Sequence, residues 1–288
     1  MVRFSDFYKP GLIRYSFEVF PPKDEAGVAD LIRAIHELAA FDPAFVSVTY
    51  GAMGTTRDLT RDLALRIWKE THLATAFHFT CVGADRISIK NYVEAFKKEG
   101  LNLVVALRGD PPAGKPFVKP ENGFAYANEL VAYLKEIDGF SIAVAGYPEG
   151  HIECKDKETD LKNLKRKVDA GADIILTQLF FKNEDYFDFV KRARSIGIRE
   201  TVPIIPGIMP VMSLKQIEKI SGLCGASLPE DLHRELQKHQ DSPEEMRAIG
   251  VRHAVKQCRE LVKRGVPGIH FYSLNKSEST RKIIEALP

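Results

Sequence analysis

The stretch Tyr15–Lys23 (YSFEVFPPK) carries one carboxylate, Glu18, within an apolar run. Aromatic and β-branched residues at positions 14–20 predict a buried strand, which Pro21-Pro22 ends. Burying an ionised carboxylate without a partner costs a large desolvation free energy. Glu18 therefore either pairs with a cation or carries a raised pKa, the property that a general acid needs near neutral pH. On this stretch alone, a salt-bridged strand end is the simpler interpretation.

A second set of polar residues follows a helical spacing and comprises Asp160, Asn163, Arg166 and Lys167. The first, second and fourth are predicted to share one helix face, with Arg166 beside it. Polar groups near a helix start, with cations close by, suit phosphates and ribose hydroxyls. A solvated helix face is the alternative. The polar residues Tyr147 and His151 on the same strand–helix unit favour the binding site.

Short apolar runs alternate eight times with amphipathic helical patterns. The predicted strands cover positions 14–20, 45–50, 76–81, 103–107, 141–145, 173–178, 202–207 and 268–272. Continuous apolar strands are typical of a parallel sheet covered on both faces. Eight such units close into a (β/α)8 TIM barrel, an α/β fold that we predict as a single domain over residues 1–288, with a helical insertion at about 225–241. A doubly wound open sheet would more often carry a glycine-rich turn after strand one, where this chain has Pro21-Pro22.

In a TIM barrel the active site lies at the carboxyl ends of the strands. Most of the predicted strand ends carry polar residues, namely Glu18, Thr49, His78, Arg108 with Asp110, Tyr147 with His151, Gln178, and Tyr272 with Asn275. This convergence favours an active-site role for Glu18. No strand ends in a lysine placed for a Schiff base, no carboxylates accompany the histidines at metal-site spacing, and no Ser-His-Asp grouping stands out. We therefore predict an organic cofactor and no metal site.

The composition restricts the partners and the compartment. The 288 residues carry a net charge of +2, which gives no support to a nucleic-acid or membrane-surface partner. No apolar run approaches the roughly 20 residues of a membrane span, and the first residues show no signal-peptide core. The four cysteines are scattered without a Cys-x-x-Cys spacing, so we expect a cytoplasmic protein.

Several long motifs, in order, resemble the 5,10-methylenetetrahydrofolate reductase family. They are SFEVFPP at 16–22, FVSVTYG at 45–51, ALRGDPP at 106–112, YPEGH at 147–151, NLKRKVDAGA at 163–172, IIPGI at 204–208 and HFYSLN at 270–275. The resemblance runs from about residue 14 to 280 and is closest to the bacterial catalytic-barrel type. It implies a barrel that binds FAD and belongs to one-carbon metabolism and methionine biosynthesis. NAD(P)H would reduce the flavin in a ping-pong reaction, and methylenetetrahydrofolate would then become 5-methyltetrahydrofolate.

The resemblance also implies roles for particular residues. Glu18 would be the general acid that helps open the imidazolidine ring, and Asp110 would be a carboxylate near the flavin and the pterin. The implied FAD contacts are Tyr50, Ala52, His78, Arg108, Gly109, Asp110, Ala127, Tyr147, His151, Cys154, Asp160, Asn163, Arg166 and Lys167. The implied substrate contacts are Glu18, Thr49, Asp110, Gln178, Gln216, Tyr272 and Lys276.

This chain departs from the family pattern at two positions of the implied folate site. Lys276 stands where bacterial members have an arginine that meets the glutamate tail, and lysine lacks the bidentate fork. Ile220 stands where an aromatic residue would stack on the aminobenzoyl ring. A homo-oligomer is expected. Two alternatives stay open: another pterin- or flavin-handling barrel such as a methyltransferase-like protein, and a barrel subunit that receives electrons from a partner reductase.

Overall fold

A computed structural model of the chain describes residues 1–9, 11–50, 57–111 and 116–288. Eight parallel strands pair in chain order and β8 pairs with β1, so the sheet closes into a barrel. The strands are β1 (Arg14–Val19), β2 (Phe45–Val48), β3 (Thr75–Thr80), β4 (Leu103–Leu107), β5 (Ser141–Gly146), β6 (Ile174–Leu179), β7 (Ile204–Ile208) and β8 (Gly268–Tyr272). The predicted TIM barrel is confirmed.

Helices follow the strands and pack around the barrel. They are α1 (Glu25–Ala39), α2 (Arg57–Thr71), α3 (Arg86–Lys98), α4 (Ala127–Ile137), α5 (Lys157–Asp169), α6 (Asn183–Ser195), α7 (Leu214–Cys224), α8 (Glu230–Lys238), α9 (Pro243–Lys263) and α10 (Glu278–Glu285). Helix α8 lies in the stretch predicted as an insertion. None of the helices in the described ranges is long and apolar enough to cross a membrane.

The strand boundaries differ from the predicted ones by at most two residues. Strand β1 stops at Val19 because Phe20 turns outward, with 44% of its surface exposed, and Pro21 has no N–H to pair. Strand β2 ends at Val48, two residues before the predicted end at Tyr50. Strand β7 begins at Ile204 because the preceding Pro203 cannot donate to the sheet.

Side chains alternate between the inside of the barrel and the layer beneath the helices. On β1, Phe17 and Val19 join the large apolar layer between barrel and helices. Their neighbours Ser16 and Glu18 consequently face the barrel interior. This alternation places Glu18 near the carboxyl end of β1, where it pairs with Ser47 of β2 and Tyr272 of β8 in the register of the sheet.

A short 3-10 helix, Phe4–Phe7, closes the opposite end of the barrel. The buried ring of Phe4 meets Phe45 edge to face at 4.9 Å, and the Phe4 N–H donates to Ser141 Oγ at 3.0 Å. Apolar residues fill the lower interior above it, among them Ala76, Leu103, Val105, Ala143, Ile174, Leu176 and Ile205. This floor could not be predicted from the sequence, because four residues are too few to show a periodic pattern.

Candidate active site

The Glu18 carboxylate lies between two imidazoles at the upper end of the barrel. Its Oε2 atom is 3.3 Å from His78 Nε2 of β3 and 3.5 Å from His270 Nε2 of β8. On the other side of its ring, His270 Nδ1 lies 2.8 Å from Ser16 Oγ. An ionised carboxylate can only accept hydrogen bonds, so His270 Nε2 carries a proton; in the neutral imidazole Nδ1 then accepts from the Ser16 hydroxyl. Glu18, His270 and Ser16 thus form a connected polar chain within the barrel.

The two imidazoles determine the protonation state of Glu18. Burial raises the pKa of the Glu18 carboxyl, but His78 and His270 together lower it by more, so this pKa lies below its usual value. Burial lowers the pKa of His78, and the nearby carboxylate of Glu18 opposes that shift. Glu18 is therefore a carboxylate at neutral pH in this structure. Of the two outcomes left open by the sequence, pairing is therefore the one found, and its partners could not be named in advance because both imidazoles come from strands distant in sequence.

A cationic group lies at the same end of the barrel, on the loop after β4. The guanidinium of Arg108 pairs with Glu153 from the loop after β5, and its Nε donates to Gly109 O at 3.1 Å. Its Cζ also lies 5.4 Å from the centre of the Phe117 ring. Asp110 is 90% exposed and its carboxylate is 3.8 Å from Arg108 Nη2. Arg108 is therefore held in one orientation at the mouth of the barrel.

Helix α5 places an ammonium group against β5. Lys167 Nζ donates to Ala145 O at 2.5 Å and lies 5.7 Å from the centre of the Tyr147 ring. Burial lowers the pKa of Lys167 to about 8, although the nearby Asp160 opposes this shift. Burial also raises the pKa of Asp160, against the effect of Lys167 and His151. The electrostatic coupling of Asp160 and Lys167 agrees with the predicted shared helix face.

We expect Lys167→Met to raise the free energy of unfolding by about 2 kcal/mol at pH 7. Native Lys167 loses its proton near pH 8, whereas the unfolded chain keeps it to about pH 10.5, so the ammonium destabilises the fold at low pH. This destabilisation decreases as the pH rises from about 8 to about 10.5 and is absent above about pH 10.5. Urea unfolding at pH 7 and pH 10 measures the difference, with the exposed Lys162→Met as the matched control. Equal effects at both pH values would contradict the assignment.

Tyr272 spans the barrel between β8 and β6. Its hydroxyl donates to Thr177 O at 2.6 Å, and the Thr177 hydroxyl accepts from the Gly207 N–H at 2.9 Å. The space that Tyr272 fills exists because residue 207 has no side chain: a Cβ there would lie 2.7 Å from Tyr272 Cε2. Next to Thr177, Gln178 Oε1 accepts from the Leu179 N–H at 2.9 Å.

The other predicted substrate residues lie around the mouth. Thr49 follows β2, and its carbonyl oxygen accepts from Thr60 Oγ1 at 3.1 Å. Gln216 is exposed in the first turn of α7, and Lys276 is exposed after β8. None of these three contacts Glu18 among the hydrogen bonds and ion pairs of the described residues.

The remaining predicted flavin residues divide into those near Arg108 and Lys167 and those elsewhere. His151 Nδ1 accepts from the Glu153 N–H at 3.1 Å, and the Cys154 N–H donates to His151 O at 2.8 Å. Asn163 Oδ1 accepts from Arg166 Nη1 at 3.0 Å on the exposed side of α5. Ala127 is the first residue of α4, and the Tyr50 ring packs on Phe79 and Tyr92. Ala52 lies outside the described residues.

Four residues of this site were not among the predicted ones: Ser16, His270, Glu153 and Thr177. For two of them a signal existed. Ser16 and His270 lie two positions before Glu18 and Tyr272, so strand alternation points them to the same interior face. Glu153 and Thr177 carried no such signal, because their roles depend on loop contacts and on a backbone oxygen.

Comparison with known proteins identifies the relatives of the chain. The family model "Methylenetetrahydrofolate reductase" matches residues 3–288. The 5,10-methylenetetrahydrofolate reductase of Escherichia coli is 40% identical over 277 residues, which cover 96% of this chain and 91% of that protein. The chain belongs to the methylenetetrahydrofolate reductase family. "Methylenetetrahydrofolate reductase (NADH) 1" of Arabidopsis thaliana is 38% identical over 286 residues, 95% of this chain but 48% of that protein. The chain thus spans about half the length of the plant relatives it matches.

Solved structures support the fold at lower identity. A protein from Clostridium thermocellum described as binding two copies of 5-methyl-5,6,7,8-tetrahydrofolic acid aligns with a TM-score of 0.67 and 15% sequence identity. The alignment covers 98% of this chain and 96% of that one. At this identity the alignment shows only a shared barrel fold. Membership in the methylenetetrahydrofolate reductase family therefore rests on the sequence comparisons.

Proposed function

We propose that this chain reduces 5,10-methylenetetrahydrofolate to 5-methyltetrahydrofolate, with NADH or NADPH as electron donor and FAD as bound cofactor. The observation that carries the proposal is the Glu18 carboxylate, set between two imidazoles at the mouth of a barrel of this family. When bound, FAD supplies a two-electron carrier that a protein side chain cannot replace.

The described residues fit a cofactor with a pyrophosphate and many polar atoms. Arg108 presents a fixed guanidinium and Lys167 a buried ammonium, both suited to phosphate oxygens. His78 Nε2 is buried 3.3 Å from Glu18 Oε2 but makes no aligned hydrogen bond among the described residues, so it has unused hydrogen-bonding capacity. Gly109 has a φ of 81°, and a Cβ there would lie 2.7 Å from Thr80 Cβ. Glycine is therefore required at this position, and its backbone is not covered by a side chain of its own.

The proposed FAD contacts within the described residues are those of the family pattern. They are Tyr50, His78, Arg108, Gly109, Asp110, Ala127, Tyr147, His151, Cys154, Asp160, Asn163, Arg166 and Lys167. The ion pair with Glu153 holds the Arg108 guanidinium in place, which supports its proposed role in binding an anion. The exposure of Asp110 supports its proposed contact with a ligand at the mouth.

Glu18 is proposed as the acid that protonates the folate as its imidazolidine ring opens. In this structure it is ionised, so it must take up a proton before it acts. Ligands that cover the mouth exclude water from the carboxyl, and burial is already the largest influence that raises its pKa. The ordered pair His270 and Ser16 keeps the carboxyl in place while this happens. Binding and protonation of Glu18 are therefore coupled.

The substrate is proposed to contact Thr49, Asp110, Gln178, Gln216, Tyr272 and Lys276 in addition to Glu18. The hydroxyl of Tyr272 already donates to Thr177 O, so Tyr272 would offer its ring to the ligand. The Asp110 carboxylate would favour a cationic folate intermediate through its negative charge. That charge is partly offset by Arg108 at 3.8 Å.

Anaerobic titration of the purified protein tests the proposal. We expect bound or reconstitutable FAD, bleaching of the flavin by NADH or NADPH, and recovery of its absorbance on adding methylenetetrahydrofolate. Failure to bind FAD would contradict the proposal. Folate binding without any NAD(P)H–menadione activity would favour instead a barrel subunit supplied with electrons by a partner reductase.

We expect Lys276→Arg to lower the folate dissociation constant about 3- to 10-fold, since guanidinium pairs with a carboxylate through two hydrogen bonds and ammonium through one. Lys276 is exposed at the mouth, so the change introduces no buried charge. Fluorescence titration with a polyglutamylated folate measures it, and Lys98→Arg at the far end of α3 is the control. An unchanged dissociation constant would show that residue 276 misses the glutamate tail.

A further inference from the structure

The turn after β8 has an unusual backbone. Leu274 and Asn275 are consecutive and have φ values of 52° and 60°. Left-handed backbone is disfavoured for residues other than glycine; asparagine tolerates it, whereas leucine rarely adopts it. A strained conformation persists only where surrounding contacts hold it in place.

The side chain of Asn275 supplies such contacts. Its Oδ1 accepts from the Phe20 N–H at 2.9 Å, and its Nδ2 donates to Phe20 O at 2.8 Å. The identity of the two Phe20 atoms fixes the orientation of the amide, because one can only donate and the other only accept. A residue in a parallel sheet pairs its N–H and C=O with a neighbouring strand in the same way. The Asn275 amide therefore replaces a strand neighbour for Phe20, beyond the last β1–β8 pair.

The end of β1 depends on the hydrogen bonds between Phe20 and the Asn275 amide. Pro21 and Pro22 cannot donate hydrogen bonds, so pairing cannot continue past Phe20. On the β8 side, the only other described contact near this end is made by Ser273, whose N–H and Oγ both donate to Glu18 O, at 3.3 and 2.8 Å. The two contacts hold the backbone at Glu18 and at Phe20, two residues later.

We propose that Asn275 is a positioning residue for Glu18: its amide fixes the end of β1 and so keeps the Glu18 carboxylate against His78 and His270. The consequence for the reaction rests on the function proposed above. Glu18 Oε2 lies 3.3 Å from His78 Nε2 without an aligned hydrogen bond, and its hydrogen bond with His270 Nε2, at 3.5 Å, is at the long end of the range, so a small displacement of the strand end disrupts both contacts. Asn275 itself touches neither imidazole in the described contacts.

The variant Asn275→Gly removes the side-chain amide and keeps the backbone conformation, because glycine adopts the left-handed conformation without strain but makes no side-chain hydrogen bond. We expect the pKa of Glu18, followed by carbon-13 NMR of labelled glutamate, to rise by about one pH unit as the carboxyl leaves the imidazoles. The control is His72→Gly, which places glycine at another left-handed position, after α2, and should leave the pKa of Glu18 unchanged. An unchanged pKa of Glu18 in Asn275→Gly would overturn the proposal.

Kinetics distinguish this proposal from the proposed function. We expect Asn275→Gly to lower folate-dependent NADH oxidation at least 10-fold without affecting menadione-dependent oxidation. Combining it with Glu18→Gln should add no further loss, because both changes act through one carboxyl. Equal loss of both activities, or a fully additive double variant, would overturn the positioning role. A shifted Glu18 pKa with folate reduction intact in both single variants would support positioning and refute the acid role of Glu18.

Discussion

Replacing Glu18 with glutamine is expected to slow folate reduction about 10²- to 10⁴-fold, the usual contribution of a positioned general acid. Glutamine has the same shape and can still accept a hydrogen bond from His270 Nε2, but it cannot deliver a proton. Oxidation of NADH with menadione requires no proton from this group and should be unchanged. Steady-state assays with the two acceptors, on the same enzyme preparation, measure the difference.

The matched control for this variant is Glu218→Gln. Glu218 also pairs with an imidazole, since its Oε1 lies 2.8 Å from His233 Nε2, but the pair lies on the surface of α7 and α8. Both activities should survive in the control. If Glu18→Gln lowers both activities equally, the residue supports the site as a whole and the acid role is wrong.

Replacing Gly207 with alanine is expected to destabilise the barrel by about 3 kcal/mol, at the upper end of overpacking costs. A Cβ at this position would lie 2.2 Å from Thr177 O and 2.9 Å from the Tyr272 hydroxyl oxygen. The first atom is backbone of the neighbouring strand and cannot move without disturbing β6. The second belongs to the hydrogen bond between Tyr272 and Thr177, so the ring would leave its place as well.

Chemical unfolding measures this loss, with Gly222→Ala as the control. Gly222 lies within α7 and has no atom within 4 Å of its would-be Cβ. Alanine in a helix is favoured over glycine by about 1 kcal/mol, so the control should stabilise the fold. A destabilisation of Gly207→Ala no larger than 1 kcal/mol would mean that strands β6 and β7 adjust freely, contrary to the packing described here.

The barrel fold and part of the site around Glu18 could be predicted from local sequence patterns. Eight apolar runs alternating with helical patterns favour a parallel closed sheet, and the strand ends placed Glu18 and His78 on the same face of the barrel, where the structure brings them together. The protonation state of Glu18 could not be predicted in this way. It depends on His270, which is 252 residues away in the sequence and lies inside a strand, two residues before its end.

The contacts between loops also could not be predicted from the sequence. Arg108 was predicted as a flavin contact, but nothing in its motif indicated that Glu153 would pair with it across two loops. The strength of such a pair depends on distance and solvent exposure, which a sequence does not contain. The same holds for Lys167, whose lowered pKa results from burial against β5 and not from its position in a basic helix.

The floor formed by Phe4 has a consequence for how ligands move. The described residues fill the interior from Phe4 and Phe45 up to Leu176, so the barrel is closed at this end and its pocket opens at the carboxyl ends of the strands. Under the proposed function, a nicotinamide donor and a folate acceptor would both enter and leave through the opening beside Glu18. Two ligands of that size would obstruct each other there, so we expect one to leave before the other binds. On this proposal, the closed end at Phe4 would require the two ligands to occupy the site in turn.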